Sequence, residues 1–320
     1  MPLPLRTRLF AWLLPRLPGG TVAGAHPEAI ARMQERTIPD TPVTRAVMGR
    51  PLARVRIDEV EVQGVEQALT TRRYHPDPGR DDLPLLVYLH GGGWVLRDLE
   101  VADWLLTRVA RATPAVVLSV DYRVAPEHPF PAAVDDAVTA IRWLSAHGQQ
   151  VGGDPRRMAV MGESAGANLA TVAALTLRNE RVLAAQILLY PPVDLTGGIR
   201  SLPDDPDPPI LTREGQRTFR ALYLGAADPT DWRASPLLAP DHRGLPPTLL
   251  VVGDHDPLAP DVRRYAEVLE RSGVPVRLRT YRDAVHGFLC FPGVVHHATQ
   301  AAVDIVTELR HHLHAGGNTP

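Results

Sequence analysis

The stretch Met158-Ala159-Val160-Met161-Gly162-Glu163-Ser164-Ala165-Gly166-Ala167-Asn168-Leu169-Ala170 decides the fold. Met158–Met161 is a short uncharged apolar run, the pattern of a buried strand. Ser164 opens a segment rich in Ala and Leu that runs to Arg178 and reads as a helix packed closely on a sheet. Between them lies Gly-x-Ser-x-Gly, residues 162–166. Alone the pentapeptide recurs by chance; a strand before it and a helix after it give it meaning. The serine then sits on a sharp strand-to-helix turn in strained geometry, and Gly162 and Gly166 let the two elements approach. The helix N-terminus directs free N–H groups and the positive end of its dipole at a developing oxyanion.

Outward from this turn, strands and helices alternate. Leu83–Leu89, Ala115–Val120, Gln186–Tyr190, Thr248–Val252 and Val276–Tyr281 read as strands. Trp104–Ala112, Ala132–Ala146, Asp261–Ser272 and Ala298–His314 carry apolar residues at helical spacing. This order predicts an α/β fold, a mainly parallel sheet with helices on both faces. Upstream, Val55, Ile57, Val60 and Val62 alternate with polar residues, the period of an antiparallel strand pair ending near Tyr74. Residues 1–50 read as a helical segment broken at Pro15, Pro18 and Pro27. Thr196–Asp228 interrupts the alternation with many prolines and one helix, Arg213–Leu224; long insertions of this kind lie over the ligand end of a sheet. The chain thus divides into a helical segment, 1–50, and a catalytic domain, 51–320, with an insertion at about 198–225.

The remaining chemistry follows strand ends. His90-Gly91-Gly92-Gly93-Trp94 succeeds the strand Leu83–Leu89. A flexible turn or a phosphate loop would also use three glycines, but no Lys or Ser/Thr completes a phosphate loop. The sharper reading is a pair of unshielded backbone donors, Gly92 and Gly93, joined by Ala165 as an oxyanion hole. His90 reads as a hydrogen-bonded structural residue. In this fold the order is serine, acid, histidine. Asp254 and Asp256 compete after Thr248–Val252; Asp256 is favoured, because two further residues let the loop curl back and Pro257 stiffens its exit. His286 follows the last strand, with Gly287 permitting a tight turn. The pairs His296-His297 and His311-His312 lie in or beside the C-terminal helix and read as solvated rather than as metal ligands.

Composition narrows the function classes. All 34 basic residues are arginine, so Schiff-base, pyridoxal-phosphate and Walker-lysine chemistries are excluded. One cysteine, Cys290, excludes an intrachain disulfide, a Cys-rich zinc site and a Cys-held iron–sulfur cluster. Against 36 acids the net charge is −2, which gives no basic field for nucleic acid. No apolar run approaches the ~18 residues of a membrane span. Met1–Arg8 is basic, and the apolar Leu9–Leu14 run, cut off by Pro15 and Arg16, makes a poor signal-peptide core, so the N-terminus is expected as an amphipathic helix of the folded protein and the chain as cytoplasmic.

The motifs together resemble the bacterial hormone-sensitive-lipase-like esterases of the α/β-hydrolase superfamily. The resemblance rests on HGGGW at 90–94, DYRVAPEHPFPAAVDD at 121–136 and GESAG at 162–166. SPLLAP at 235–240, DPL at 256–258 and HGF at 286–288 continue it in order. It implies an α/β-hydrolase fold with an eight-stranded, mostly parallel sheet holding one antiparallel strand. It also implies a helical cap made of the N-terminus and the insertion. By motif it makes Ser164, Asp256 and His286 a triad and Gly92, Gly93 and Ala165 the oxyanion hole, with no cofactor and no metal. Trp94, Arg97, Glu163 and Phe288 become candidates for the substrate pocket. Glu163 stands where the family usually has Asp. Arg97 stands where the family has a small residue and is expected near the pocket mouth, favouring polar or anionic substrates. Ala259-Pro260-Asp261 replaces the usual Arg-Asp-Glu, which removes a salt link beside the acid.

The expected function is a serine carboxylesterase for short acyl esters, acting on a small-molecule substrate through an acyl-enzyme. An amide, carbamate or lactone hydrolase would use the same triad, and a non-catalytic receptor on this fold would lose a member of it. Arg277 and Arg279 on the last strand read as charge that guards a free sheet edge, which in the family also pairs two subunits, so a monomer and a homodimer are both open.

Overall fold

The computed structural model describes residues 3–16, 22, 24–35, 37–97, 99–197 and 208–314. Part of the insertion, residues 198–207, and the expected break at Pro18 lie outside the described residues. Eight strands form one sheet: β1 (Arg56–Gln63), β2 (Ala68–His75), β3 (Leu83–Leu89), β4 (Val116–Val120), β5 (Gly153–Glu163), β6 (Gln186–Leu189), β7 (Thr248–Gly253) and β8 (Val276–Tyr281). The helices are α1 (Leu5–Leu13), α2 (Pro27–Gln34), α3 (Pro42–Met48), α4 (Asp103–Ala112) and α5 (Ala132–His147). They continue with α6 (Ala165–Leu177), α7 (Arg213–Leu224), α8 (Ala259–Arg271) and α9 (His297–His314).

The strand order is β1-β2-β4-β3-β5-β6-β7-β8. β2 runs antiparallel to both of its neighbours, and every other pairing is parallel. Every residue of β3, β4, β6 and β7 is buried, because helices cover both faces of a crossover-connected sheet. The hydrophobic core is continuous across the sheet and both helix layers. β1, at one edge, alternates instead, with Val62 inward and Glu61 and Gln63 outward.

From β3 the chain crosses to β4 on one side and, after α5, returns to β5 on the other. The crevice outside the C-terminal ends of β3 and β5 is therefore a topological switch point, where open α/β sheets bind ligands. The glycine loop leaves β3 there, and Ser164 leaves β5 beside it.

β5 is longer than its apolar stretch suggests, because Gly153 and Asp154 pair with Leu83 and Pro84 before a register shift at Pro84/Leu85. At the far edge, Arg277 and Arg279 of β8 turn to α9, where they meet Glu308 at 3.0 Å and Asp304 at 3.6 Å. These ion pairs anchor the last helix to the edge strand, while both arginines stay about half exposed.

Candidate active site

Ser164 occupies the turn between β5 and α6 at φ 52°, a left-handed conformation that side-chain-bearing residues rarely adopt. The strain is held by close packing. A Cβ on Gly166 would lie 2.0 Å from the Leu89 carbonyl oxygen, so only glycine lets α6 start against the end of β3. The Ser164 N–H donates to Leu189 O at 2.9 Å, which ties the turn to β6.

Ser164 Oγ lies 2.9 Å from Nε2 of His286, and Nδ1 of His286 lies 2.8 Å from Oδ2 of Asp256. A carboxylate only accepts, so Nδ1 carries the proton and Nε2 is left to accept from the serine hydroxyl. Asp256 is 4% and His286 7% exposed, so the chain of bonds is shielded from water's competition. Asp256 also accepts from Leu258 N at 2.8 Å, which fixes its carboxylate within the loop after β7. Its competitor Asp254 faces His255 at 3.9 Å and groups with His255 and Asp283, while His286 bonds to Asp256. The ring of Tyr190 packs edge-on against His286 at 5.0 Å.

Beside the serine, Gly92, Gly93 and Trp94 all adopt positive φ, at 104°, 62° and 60°. This run turns the loop so that Val95 and Leu96 donate back to Gly92 O. Among the described residues no backbone hydrogen bond uses the N–H of Gly92, Gly93 or Ala165. His90 stacks on Tyr122 at 4.2 Å, and its Nδ1 lies 2.7 Å from Gly91 O. Burial holds its pKa below the ordinary value, so it is a neutral part of the loop's foundation.

A cavity of about 510 Å³ opens above the serine, lined mainly by apolar side chains. Ser164, His286, Gly92 and Gly93 form one side. Phe10, Met33 and Val47 come from the N-terminal segment, and Leu211, Phe219 and Arg220 from the insertion. Trp94 and Glu163 line the cavity, and Trp94 stacks on Tyr223 at 4.3 Å. Two pocket expectations are corrected. Arg97 is exposed, absent from the lining, and drawn to Asp121 at 3.6 Å. Phe288 is fully buried behind the histidine loop, packed on Tyr190 and Tyr281. The salt link expected to be missing beside Asp256 is replaced one turn on, where Arg264 meets Asp261 at 3.7 Å and Asp194 at 3.3 Å.

Sequence reading passed over Gln34, whose amide nitrogen donates to Val95 O at 2.8 Å and Ala125 O at 2.9 Å. It also passed over Phe219, which lies against Gly93. Neither belongs to a motif, and only the approach of α2 and α7 to the glycine loop brings them to the site.

A serine hydroxyl bonded to an imidazole, an imidazole oriented by a carboxylate, and unused N–H groups alongside can carry out acyl transfer. A family model described as alpha/beta hydrolase fold matches residues 86–290. The chain belongs to the α/β-hydrolase family. Carboxylesterase NlhH of Mycobacterium tuberculosis is 40% identical to it over 272 residues, 82% of this chain and 85% of that protein. Ethyl acetate hydrolase of Pseudomonas putida is 35% identical over 260 residues, 77% of this chain and 82% of that protein. Among solved structures, the hyperthermophilic esterase of the archaeon Pyrobaculum calidifontis superposes with a TM-score of 0.83 at 32% identity, covering 97% of this chain and 98% of its own. The thermostable carboxylesterase EstE1, cloned from a metagenomic library, gives 0.80 at 34% identity over 91% of this chain and 98% of its own. Within the family the chain groups with the hormone-sensitive-lipase-like carboxylesterases.

Proposed function

We propose that this carboxylic ester hydrolase cleaves short-chain acyl esters through Ser164, His286 and Asp256. The hydrogen-bonded line from Ser164 Oγ to His286 to Asp256, at 2.9 and 2.8 Å on the cavity floor, carries the reading. His286 Nε2 takes the hydroxyl proton as Ser164 Oγ attacks the ester carbonyl. The oxyanion of the tetrahedral intermediate sits against the N–H groups of Gly92, Gly93 and Ala165, each such donor being worth about 2.7–4 kcal/mol in the transition state. His286 then gives the proton to the departing alcohol, leaving an acyl-Ser164. Water, deprotonated by the same imidazole, releases the acid and restores the hydroxyl. Asp256 holds the tautomer and stabilises the imidazolium.

Short acyl groups suit a cavity that must hold acyl chain, alcohol and attacking water together between the serine and a cap to which Phe10, Met33 and Val47 of the N-terminal segment and Leu211, Phe219 and Arg220 of the insertion contribute. The ethyl acetate hydrolase of Pseudomonas putida, by name a hydrolase of a two-carbon acyl ester, agrees with this. The test is a series of nitrophenyl esters from acetate to palmitate, with Ser164→Ala and a serine-directed phosphonate. Turnover should be highest from acetate to hexanoate, vanish in Ser164→Ala, and be blocked by phosphonate on Ser164. A preference for palmitate would overturn the short-chain assignment, and residual turnover in Ser164→Ala would overturn the nucleophile.

A further inference from the structure

Helix α1 is apolar on two faces. Inward, Thr7 is buried, Phe10 and the following Leu14 line the cavity, and Phe10 meets the Phe291 ring at 4.7 Å. Outward, Leu5, Leu9, Trp12 and Leu13 are 69%, 58%, 59% and 47% exposed. Half of the eight most exposed large apolar side chains among the described residues thus fall on this one short helix. At 3.6 residues per turn the four form a continuous outward stripe, with Arg8 on one flank and Arg6 on the other. A surface helix normally turns charge outward; among the described residues only Pro209 approaches this face, forming a shallow concavity with Leu5, Leu9 and Trp12, and the stripe otherwise stands exposed.

Charge indicates what covers it. Residues 1–27 contain Arg6, Arg8 and Arg16 and no Asp or Glu; the first acid is Glu28. Among the described residues neither Arg6 nor Arg8 has an acidic partner, and the Arg16 guanidinium lies over the Trp12 ring at 4.2 Å. A second copy docked face to face about a two-fold axis would set these arginines against their own equivalents. An interfacial helix has this chemistry: a Leu/Trp face that enters the headgroup–acyl boundary and flanking cations that meet phosphates.

We propose that α1 docks this chain on an anionic lipid surface, with Leu5, Leu9, Trp12 and Leu13 inserted and Arg6, Arg8 and Arg16 on the headgroup phosphates. No helix among the described residues is long and apolar enough to span a membrane, so the contact lies in the plane of the surface. Because Phe10 and Leu14 line the cavity, docking sets its wall against the phase into which apolar esters partition. The docking is independent of which residue attacks the ester.

Flotation of the 320-residue chain with phosphatidylcholine–phosphatidylglycerol vesicles, and with phosphatidylcholine alone, tests it. The chain should float with the mixed vesicles at low salt and be released at high salt as the charges are screened. Arg6→Gln with Arg8→Gln should weaken partitioning roughly fivefold per arginine removed. Leu9→Ser with Trp12→Ser should abolish it, with far-ultraviolet circular dichroism confirming a folded chain. No flotation at low salt, equal flotation on phosphatidylcholine alone, or binding undiminished by Leu9→Ser/Trp12→Ser overturns the proposal. A dimer that ignores vesicles and is split by the same pair overturns it in favour of a second copy. Should that pair fail to fold, the arginine pair decides: weaker binding supports the proposal and unchanged binding overturns it.

Discussion

The thiol of Cys290 donates to Oε1 of Glu163 across 2.8 Å, while the Tyr88 hydroxyl donates to Oε2 at 3.0 Å. Glu163 immediately precedes Ser164, and Cys290 lies four residues beyond His286, so the bond ties the serine turn to the histidine loop. Glu163 is 6% exposed, and among the described residues no arginine reaches it. A buried carboxylate without a cation is tolerable only when hydrogen bonds satisfy its oxygens. The negative charge also acts back on its donor: burial foremost, and then Glu163, push the Tyr88 phenol well above its ordinary pKa and keep it a donor.

Removing the thiol donor should therefore cost stability. Cys290→Ala is expected to lose about 1.5–3 kcal/mol, the range for hydrogen bonds to charged groups, while Cys290→Ser, which can still donate, should stay near the parent. Urea unfolding gives the comparison. Equal midpoints for the alanine and serine variants would mean that the bond contributes nothing.

Gln34 should act on turnover through the glycine loop. Its amide holds Val95 O and Ala125 O together, and Ala125 N in turn donates to Trp94 O at 2.9 Å. Gln34→Met keeps the shape and removes both donors. If Gly92 and Gly93 form the oxyanion hole, kcat should fall roughly tenfold with KM little changed, since small displacements of a preorganised group are costly. A change confined to KM would place Gln34 in substrate binding instead.

Much of this was legible in the sequence because it is local. Apart from β5, whose start lies five residues before the apolar run Met158–Met161, the period of apolar residues marked the sheet strands to within a residue or two, and β8 falls on Val276–Tyr281 in both readings. Gly-x-Ser-x-Gly between strand and helix fixed the elbow, and loop length favoured Asp256 over Asp254. What stayed hidden depends on chain meeting chain. Arg97 could not be read as paired with Asp121 before β3 and β4 were neighbours, and Phe288 looked like a pocket residue until the loop was seen to fold it inward. Arg277 and Arg279 alternate as edge guards would, but the acids of α9 that take them up lie far along the chain.

Asp136, from the motif at 121–136, should prove structural. It is fully buried and accepts from the Arg123 backbone N–H at 3.0 Å and from its guanidinium at 2.9 and 3.0 Å. Arg123 is itself 6% exposed. Asp136→Asn leaves that buried cation with only the solvent-exposed Glu66, at 2.5 Å, as its counter-charge, and a loss of about 3 kcal/mol, the lower end for a broken buried pair, is expected. Replacing both residues with apolar ones should restore part of it. If the double variant is as unstable as the single one, packing rather than charge sets the cost.

Stability should fall with acid in two stages. Burial foremost holds His75, His90 and His242 below the ordinary imidazole value of 6.5. As pH drops below that value the unfolded chain takes up protons that the folded chain refuses, so the folded state loses stability until each folded pKa is passed. The carboxylates act later. Asp58, Asp154 and Asp231 are held below 3.8 chiefly by hydrogen bonds from Arg73, Arg156 and Arg233 respectively. Their contribution is complete above 3.8 and is lost as pH falls through the folded values, about 2 for Asp154. The urea midpoint should therefore begin to decline as pH falls below about 6.5, from the imidazoles, and decline further below about pH 4, from the carboxylates. His90→Phe, which keeps a ring on Tyr122, should shallow the first decline. A midpoint constant from about pH 7.5 to pH 5 would show that the buried imidazoles gain their protons as readily as in the unfolded chain.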